Sequence, residues 1–120
     1  MSEKPVALPG QKSMPEPDAA LVRGRPRDYL AAQPRPEHVG LVVEIADSSL
    51  LEDRRRMNLF LAAGIPSCWL LNLVDDRLEV HRPGTEPETL GGSDSVDLVL
   101  DDRTVARIAV ADLLPGHRPE

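Results

Sequence analysis

One misplaced carboxylate constrains this chain more than any other feature. Leu41-Val42-Val43-Glu44-Ile45 is an aliphatic, β-branched run of the kind that forms a strand buried on both faces, and Glu44 interrupts it. Placing a carboxylate there costs several kcal/mol of desolvation unless a cation, a metal or a proton answers it. The run opens the segment Leu41–Val74, LVVEIADSSLLEDRRRMNLFLAAGIPSCWLLNLV, which reads as strand, helix, strand. Asp47, Ser48 and Ser49 offer capping oxygens, and Ser49-Leu50-Leu51-Glu52 fits the reciprocal capping-box pattern. The helix predicted over Ser49–Ala63 places Leu50, Met57, Phe60 and Leu61 along one side. Gly64 suits its C-terminal cap and Pro66 forbids continuation. Cys68–Val74 is the second strand, and a strand–helix–strand order implies a parallel pair joined by a right-handed crossover.

A chain of 120 residues is long enough for one small domain with its own core, here residues 15–115, with 1–14 as lead-in and 116–120 as tail. Aromatic residues are 2% of it, so aliphatic side chains must fill the interior. The single Cys68 excludes an internal disulfide and a cysteine-built zinc site, and its apolar neighbours suggest a buried, inert thiol. A net charge of −6 argues against affinity that comes from a broad phosphate-binding surface. It leaves room for an enzyme that gathers a few arginines around an acidic metal site. No apolar segment is long enough to span a bilayer and the polar N-terminus lacks a signal-peptide core, so a soluble cytoplasmic protein is expected.

Along the rest of the chain, Val6–Leu8 suits an edge strand or a mobile lead-in, and Pro15–Asp18 a turn feeding the short strand Ala19–Val22. A basic loop, Arg23–Arg27, precedes a helical turn predicted over Asp28–Ala32. Beyond the central unit, the alternation in Leu78–Arg82 predicts a half-exposed strand in a hairpin with Trp69–Leu73. Pro83–Gly92 reads as loop, Val96–Leu100 as strand, Val105–Val110 as irregular and Ala111–Leu114 as one helical turn, with a fraying tail from His117. One helix cannot cover both faces of a mixed sheet, so either a partner chain, such as a second copy, covers the other face or part of a longer domain is absent.

Two groupings carry potential chemistry. Asp18 and Glu44 lie at or in strands close enough in sequence to be neighbours, and two converging carboxylates suit Mg²⁺. Such an ion polarises a phosphodiester oxygen and lowers the pKa of an attacking water. The competing readings are an ordinary turn aspartate for Asp18 and an arginine-paired buried glutamate for Glu44. Glu52-Asp53-Arg54-Arg55-Arg56 is the second grouping. Its acids suit a helix N-terminus and its arginines do not, so the arginines either contact phosphate or form a solvated face. At most one of the three can point with Glu44 into a shared site. His38, His81 and His117 have no metal-ligand spacing, and Ser48-Ser49 has no nucleophile elbow.

The order PEPDAALVRG, RPEHVGLVVEIADSSL, charged helix and LAAGIPSCWLLNLVDDRLEVHRPG resembles the Uma-two-type putative restriction endonuclease family of the PD-(D/E)XK nuclease superfamily. The likeness runs from Met14 through Arg82, more weakly over Val96–Pro115. It is most specific at Pro17-Asp18, VVEIADSS and AGIP-x-x-W-L-L. The resemblance implies an α/β, restriction-endonuclease-like mixed central sheet with Ser49–Ala63 as its principal helix. It also implies that Asp18 and Glu44 are metal-binding acids for Mg²⁺ or Mn²⁺, and that DNA is the substrate. The superfamily's lysine two residues past the glutamate is Ala46 here. In this family a helix lysine is thought to replace it, and laying RMNLFLAAGI on the corresponding helix puts Arg56 in that place. Lysine can lose its proton when buried and arginine cannot, so a general-base role is lost and a charge-stabilising one kept. Family members carry a longer segment before the PEPD element, which with Arg56 raises the expectation of a copy that is shortened, degenerate or dependent on a partner chain. Two functions follow: a Mg²⁺-dependent endonuclease using Asp18, Glu44 and Arg56, or a catalytically impaired remnant serving as a binding or dimerisation module.

Overall fold

The computed structural model describes residues 16–30 and 34–115. The expectations for Val6–Leu8, for the end of the Asp28–Ala32 turn and for the tail from His117 lie outside the described residues. Five strands form one sheet in the order β1-β2-β3-β4-β5: β1 (Ala19–Val22), β2 (Val39–Ala46), β3 (Cys68–Asn72), β4 (Arg77–His81) and β5 (Glu88–Leu90). β2 and β3 are parallel and the other pairings antiparallel, so the sheet is mixed, as expected. Helix α1 (Leu50–Ala62) makes the crossover.

The helix forms where the residues favour it: Leu50–Ala62 contains no Gly, Pro or β-branched residue, and Glu52 and Asp53 sit in the first turn, where the macrodipole favours acids. Met57 and Phe60 are fully buried against Val42, Cys68 and Leu70, with Leu50 and Leu61 partly buried beside them. Its C-terminus is a Schellman motif. The Gly64 N–H donates to the Leu61 carbonyl and the Ile65 N–H to the Phe60 carbonyl, and Ile65 joins Phe60 in the core. Gly64 holds φ at +101°, which L side chains rarely adopt. Gly64→Ala is therefore expected to cost about 1–2 kcal/mol although open space surrounds the position, read as a lower midpoint in urea denaturation.

The expected capping box does not form. Ser49 is the N-cap, but its side chain makes no capping hydrogen bond, and Glu52 pairs with Arg55 instead. The helix starts on backbone geometry alone, with the Asp53 N–H bonded to the Ser49 carbonyl.

Other expectations fail because of the way the later part of the chain folds back. Val105–Val110 is not irregular: β7 (Arg103–Ala109) pairs antiparallel with β6 (Ser95–Leu100). Asp101 and Asp102 both hold positive φ in the two-residue turn between them, the backbone a tight hairpin demands. This hairpin and the following 3₁₀ turn, Val110–Asp112 in place of the helical turn expected over Ala111–Leu114, lie against the sheet face away from α1. There Val96, Val110 and Leu114 bury Leu41, Trp69, Leu71, Leu78 and Val80. Gly40 permits close approach, since a Cβ there would stand 2.8 Å from Leu100 Cδ2. The chain thus covers its own second face, and the reason for expecting a partner chain on that face disappears. Pro83–Gly92 is not all loop, because β5 pairs with β4. With β3 on one side, β5 on the other and both faces covered, β4 is buried from Leu78 to His81 and is not half-exposed.

A second 3₁₀ turn, Pro26–Tyr29, stands where a helical turn was expected from Asp28. Among the described residues, no helix is long and apolar enough to cross a membrane.

Candidate active site

The register across the sheet positions the polar groups. Glu44 on β2 pairs with Leu70 on β3, and Leu70 pairs with Glu79 on β4. Registered partners share a face, so Glu44 and Glu79 lie on the α1 side in one row, two strand spacings or about 10 Å apart. Met57 and Phe60 of α1 pack over β3 between them. Arg54 and Arg56 are two residues apart, about 200° around the helix, and so leave opposite flanks of the buried stripe. Arg56 reaches Glu44, with Nη1 3.0 Å from Oε2, and Arg54 reaches Glu79. Arg55 turns outward to Glu52. As the spacing requires, one arginine of the three shares a site with Glu44.

Asp18 enters this site from the start of β1. Because β1 is antiparallel to β2, with Ala19 opposite Val43, the residue before the strand arrives beside Glu44. The two acids are cross-tied through the backbone: the Asp18 N–H donates to Glu44 Oε1 at 2.9 Å, and the Ile45 N–H donates to Asp18 Oδ2 at 2.7 Å. Asp18 is exposed, whereas Glu44 is 1% exposed. Burial pushes the Glu44 carboxyl above the usual carboxylate range. The Asp18 N–H and the Arg56 guanidinium draw it back, and the Asp18 and Asp53 carboxylates add to the rise. The Arg56 Nε is enclosed and, among the described residues, has no hydrogen-bond partner. Cys68 stands in the same layer as a buried thiol, pushed up to about 12 by burial and by the Glu44 charge. It is inert, as its apolar surroundings suggest.

The three predicted site residues therefore converge. One oxygen of each acid is held by a backbone N–H, which leaves Asp18 Oδ1 and Glu44 Oε2, the latter paired with Arg56, as the remaining hard oxygens. Among the described residues no group of three or more His, Cys, Asp or Glu is placed to hold a metal. A two-carboxylate set fits Mg²⁺ or Mn²⁺, which keep several waters or substrate oxygens, and does not fit a closed structural zinc site.

The sequence reading missed a second polar cluster. Glu79 accepts from Arg54 Nε at 3.1 Å and Nη2 at 2.6 Å, and from Asn72 Nδ2 at 3.2 Å, and its Oε1 lies 3.0 Å from His81 Nε2. Asn72 also ties down Asp75 in the β3–β4 turn. Burial alone would raise the Glu79 carboxyl; the bonds from Arg54, His81 and Asn72 outweigh it and hold the group below its usual range. The signal was present in the three helix arginines, which outnumber the single acid recognised opposite them. It was hidden because β4 read as half-exposed.

A mixed sheet with an acid pair spanning its first two strands, faced by a cation from the crossover helix, defines a restriction-endonuclease-like α/β domain. The chain belongs to the Uma2 family, described as "Putative restriction endonuclease", whose profile matches residues 1–110. No curated protein matches it. Among solved structures it is similar to the crystal structure of "a putative nuclease belonging to DUF820 from Anabaena variabilis ATCC 29413". That likeness has a TM-score of 0.53 and 21% sequence identity, and covers 61% of this chain and 42% of that one. It supports the fold; the shared region is less than half of the neighbour's length.

Proposed function

We propose that the protein is a metal-dependent nuclease that hydrolyses DNA phosphodiester bonds, with Asp18 and Glu44 as the metal-binding acids and Arg56 facing the scissile phosphate. The observation that carries this is the convergence of Asp18, Glu44 and Arg56 from three separate elements, in a chain of this family. When bound, Mg²⁺ or Mn²⁺ supplies Lewis-acid polarisation of the phosphate and acidifies water. The chain's own groups do the rest. The Asp18 and Ile45 N–H groups hold one oxygen of each carboxylate, which leaves Asp18 Oδ1 and the Arg56-paired Glu44 Oε2 as the oxygens a metal would take. The buried setting of Glu44 strengthens its attraction for a cation. Arg56, whose guanidinium cannot serve as a base, stabilises charge on the phosphate oxygens and leaves proton removal to solvent or substrate. The net charge of −6 fits an enzyme whose phosphate contacts are local rather than spread over its surface.

A second reading is a catalytically impaired module of nuclease fold. It is favoured by the Arg56–Glu44 contact, which also satisfies a buried glutamate without any metal. Titrating Mn²⁺ or Mg²⁺ calorimetrically into the wild type and into Asp18→Ala separates the two. Saturable binding that disappears in the variant is expected. A folded wild type that takes up no metal would leave only the second reading.

A further inference from the structure

The two arginine–carboxylate pairs beneath α1 are built differently. Arg54 meets Glu79 fork-on, through Nε and Nη2, within a network completed by Asn72 and His81. That is the geometry of a permanent partner. Arg56 stands against Glu44 as an ion pair, Nη1 3.0 Å from Oε2, and among the described residues its enclosed Nε has no hydrogen-bond partner. An unsatisfied buried donor is unfavourable, so the guanidinium is held by the Glu44 charge and not by a fitted cradle. Glu44 Oε1 is already engaged by the Asp18 N–H, which makes Oε2 the oxygen a metal would take, and Arg56 occupies it.

We infer that Arg56 is a placeholder cation: it neutralises Glu44 in the resting protein, yields Oε2 when a divalent ion binds between Asp18 and Glu44, and is thereby released toward substrate phosphate. The Arg54–Glu79 anchor fixes α1 to β4, so the exchange is confined to one side chain and needs no helix movement. The inference rests on the metal-site reading above and adds to it that metal and arginine compete for one oxygen.

The competition is measurable without catalysis. Arg56→Met removes the cation and keeps an unbranched apolar chain. By calorimetry it is expected to bind Mn²⁺ at least about tenfold more tightly than wild type, since a unit charge a few ångströms away no longer opposes the ion. Saturating Mn²⁺ is likewise expected to raise its melting temperature more than that of wild type. Equal or weaker binding by Arg56→Met, with wild-type binding still dependent on Asp18, overturns the placeholder and leaves the metal site standing. No binding by either protein overturns both. A second measurement uses the unaltered chain: during Mg²⁺ titration the Arg56 Nε–H resonance, assigned by its absence in Arg56→Lys, is expected to shift and lose protection from solvent exchange while that of Arg54 stays fixed. An Arg56 resonance unmoved at saturating Mg²⁺ overturns the inference even if the methionine variant fails to fold.

Discussion

Replacing Glu44 by Gln is expected to abolish Mg²⁺-dependent cleavage of DNA while leaving a folded protein. Glutamine keeps the volume of a side chain that is 1% exposed, and its carbonyl oxygen still accepts from the Asp18 N–H. What disappears is the charge that would hold a metal, and with it several kcal/mol of transition-state stabilisation, roughly a thousandfold or more in rate. Stability changes less, because Arg56, the cation left without its partner, is 29% exposed and can turn toward water. Glu44→Ala has the same effect on cleavage and a further cost of about 1–3 kcal/mol from the orphaned Asp18 N–H. Supercoiled-plasmid cleavage with added Mg²⁺, beside circular dichroism of each variant, decides it. Cleavage by Glu44→Gln at the wild-type rate would remove Glu44 from the chemistry.

The largest stability effect is expected on the other side of the helix. Glu79→Ala removes the acceptor shared by Arg54, Asn72 and His81, and should destabilise the fold by about 2–4 kcal/mol. That is below the upper range for broken buried pairs because Arg54 is 44% exposed and can rehydrate. The effect has a pH signature. The folded-state pKa of Glu79 lies below its ordinary value of 4.5, so between the two values the unfolded chain binds the extra proton. The contribution is therefore fully present above about pH 4.5 and lost as pH falls through the depressed folded-state value. Urea denaturation of wild type and Glu79→Ala at stepped pH should show a stability gap that is widest near neutrality and closes in acid. A gap that stays constant into acid would mean the lost stability is packing and not charge.

How much of this was legible beforehand differs by element. The β2–α1–β3 unit was readable to within about two residues at each boundary, because aliphatic periodicity, Gly64 and Pro66 are local signals that tertiary contacts did not override. The convergence of Asp18, Glu44 and Arg56 was anticipated from one misplaced carboxylate together with a family resemblance. The capping box was misread because Glu52 had a competing partner one turn on, Arg55. The later part of the chain was misread because β5 and β7 owe their strand character, and β4 its burial, to neighbouring elements that no run of residues announces.

The division is physical. The amino-acid sequence by itself determined the crossover unit and the need for a positive or protonic partner at Glu44, since backbone propensity and the desolvation of a lone charge depend on local chemistry. Only the tertiary structure decided that a second buried carboxylate, Glu79, answers Arg54. Arg54 and Arg56 are near-identical groups two residues apart, and strand register with helix phase assigned one to Glu79 and the other to Glu44.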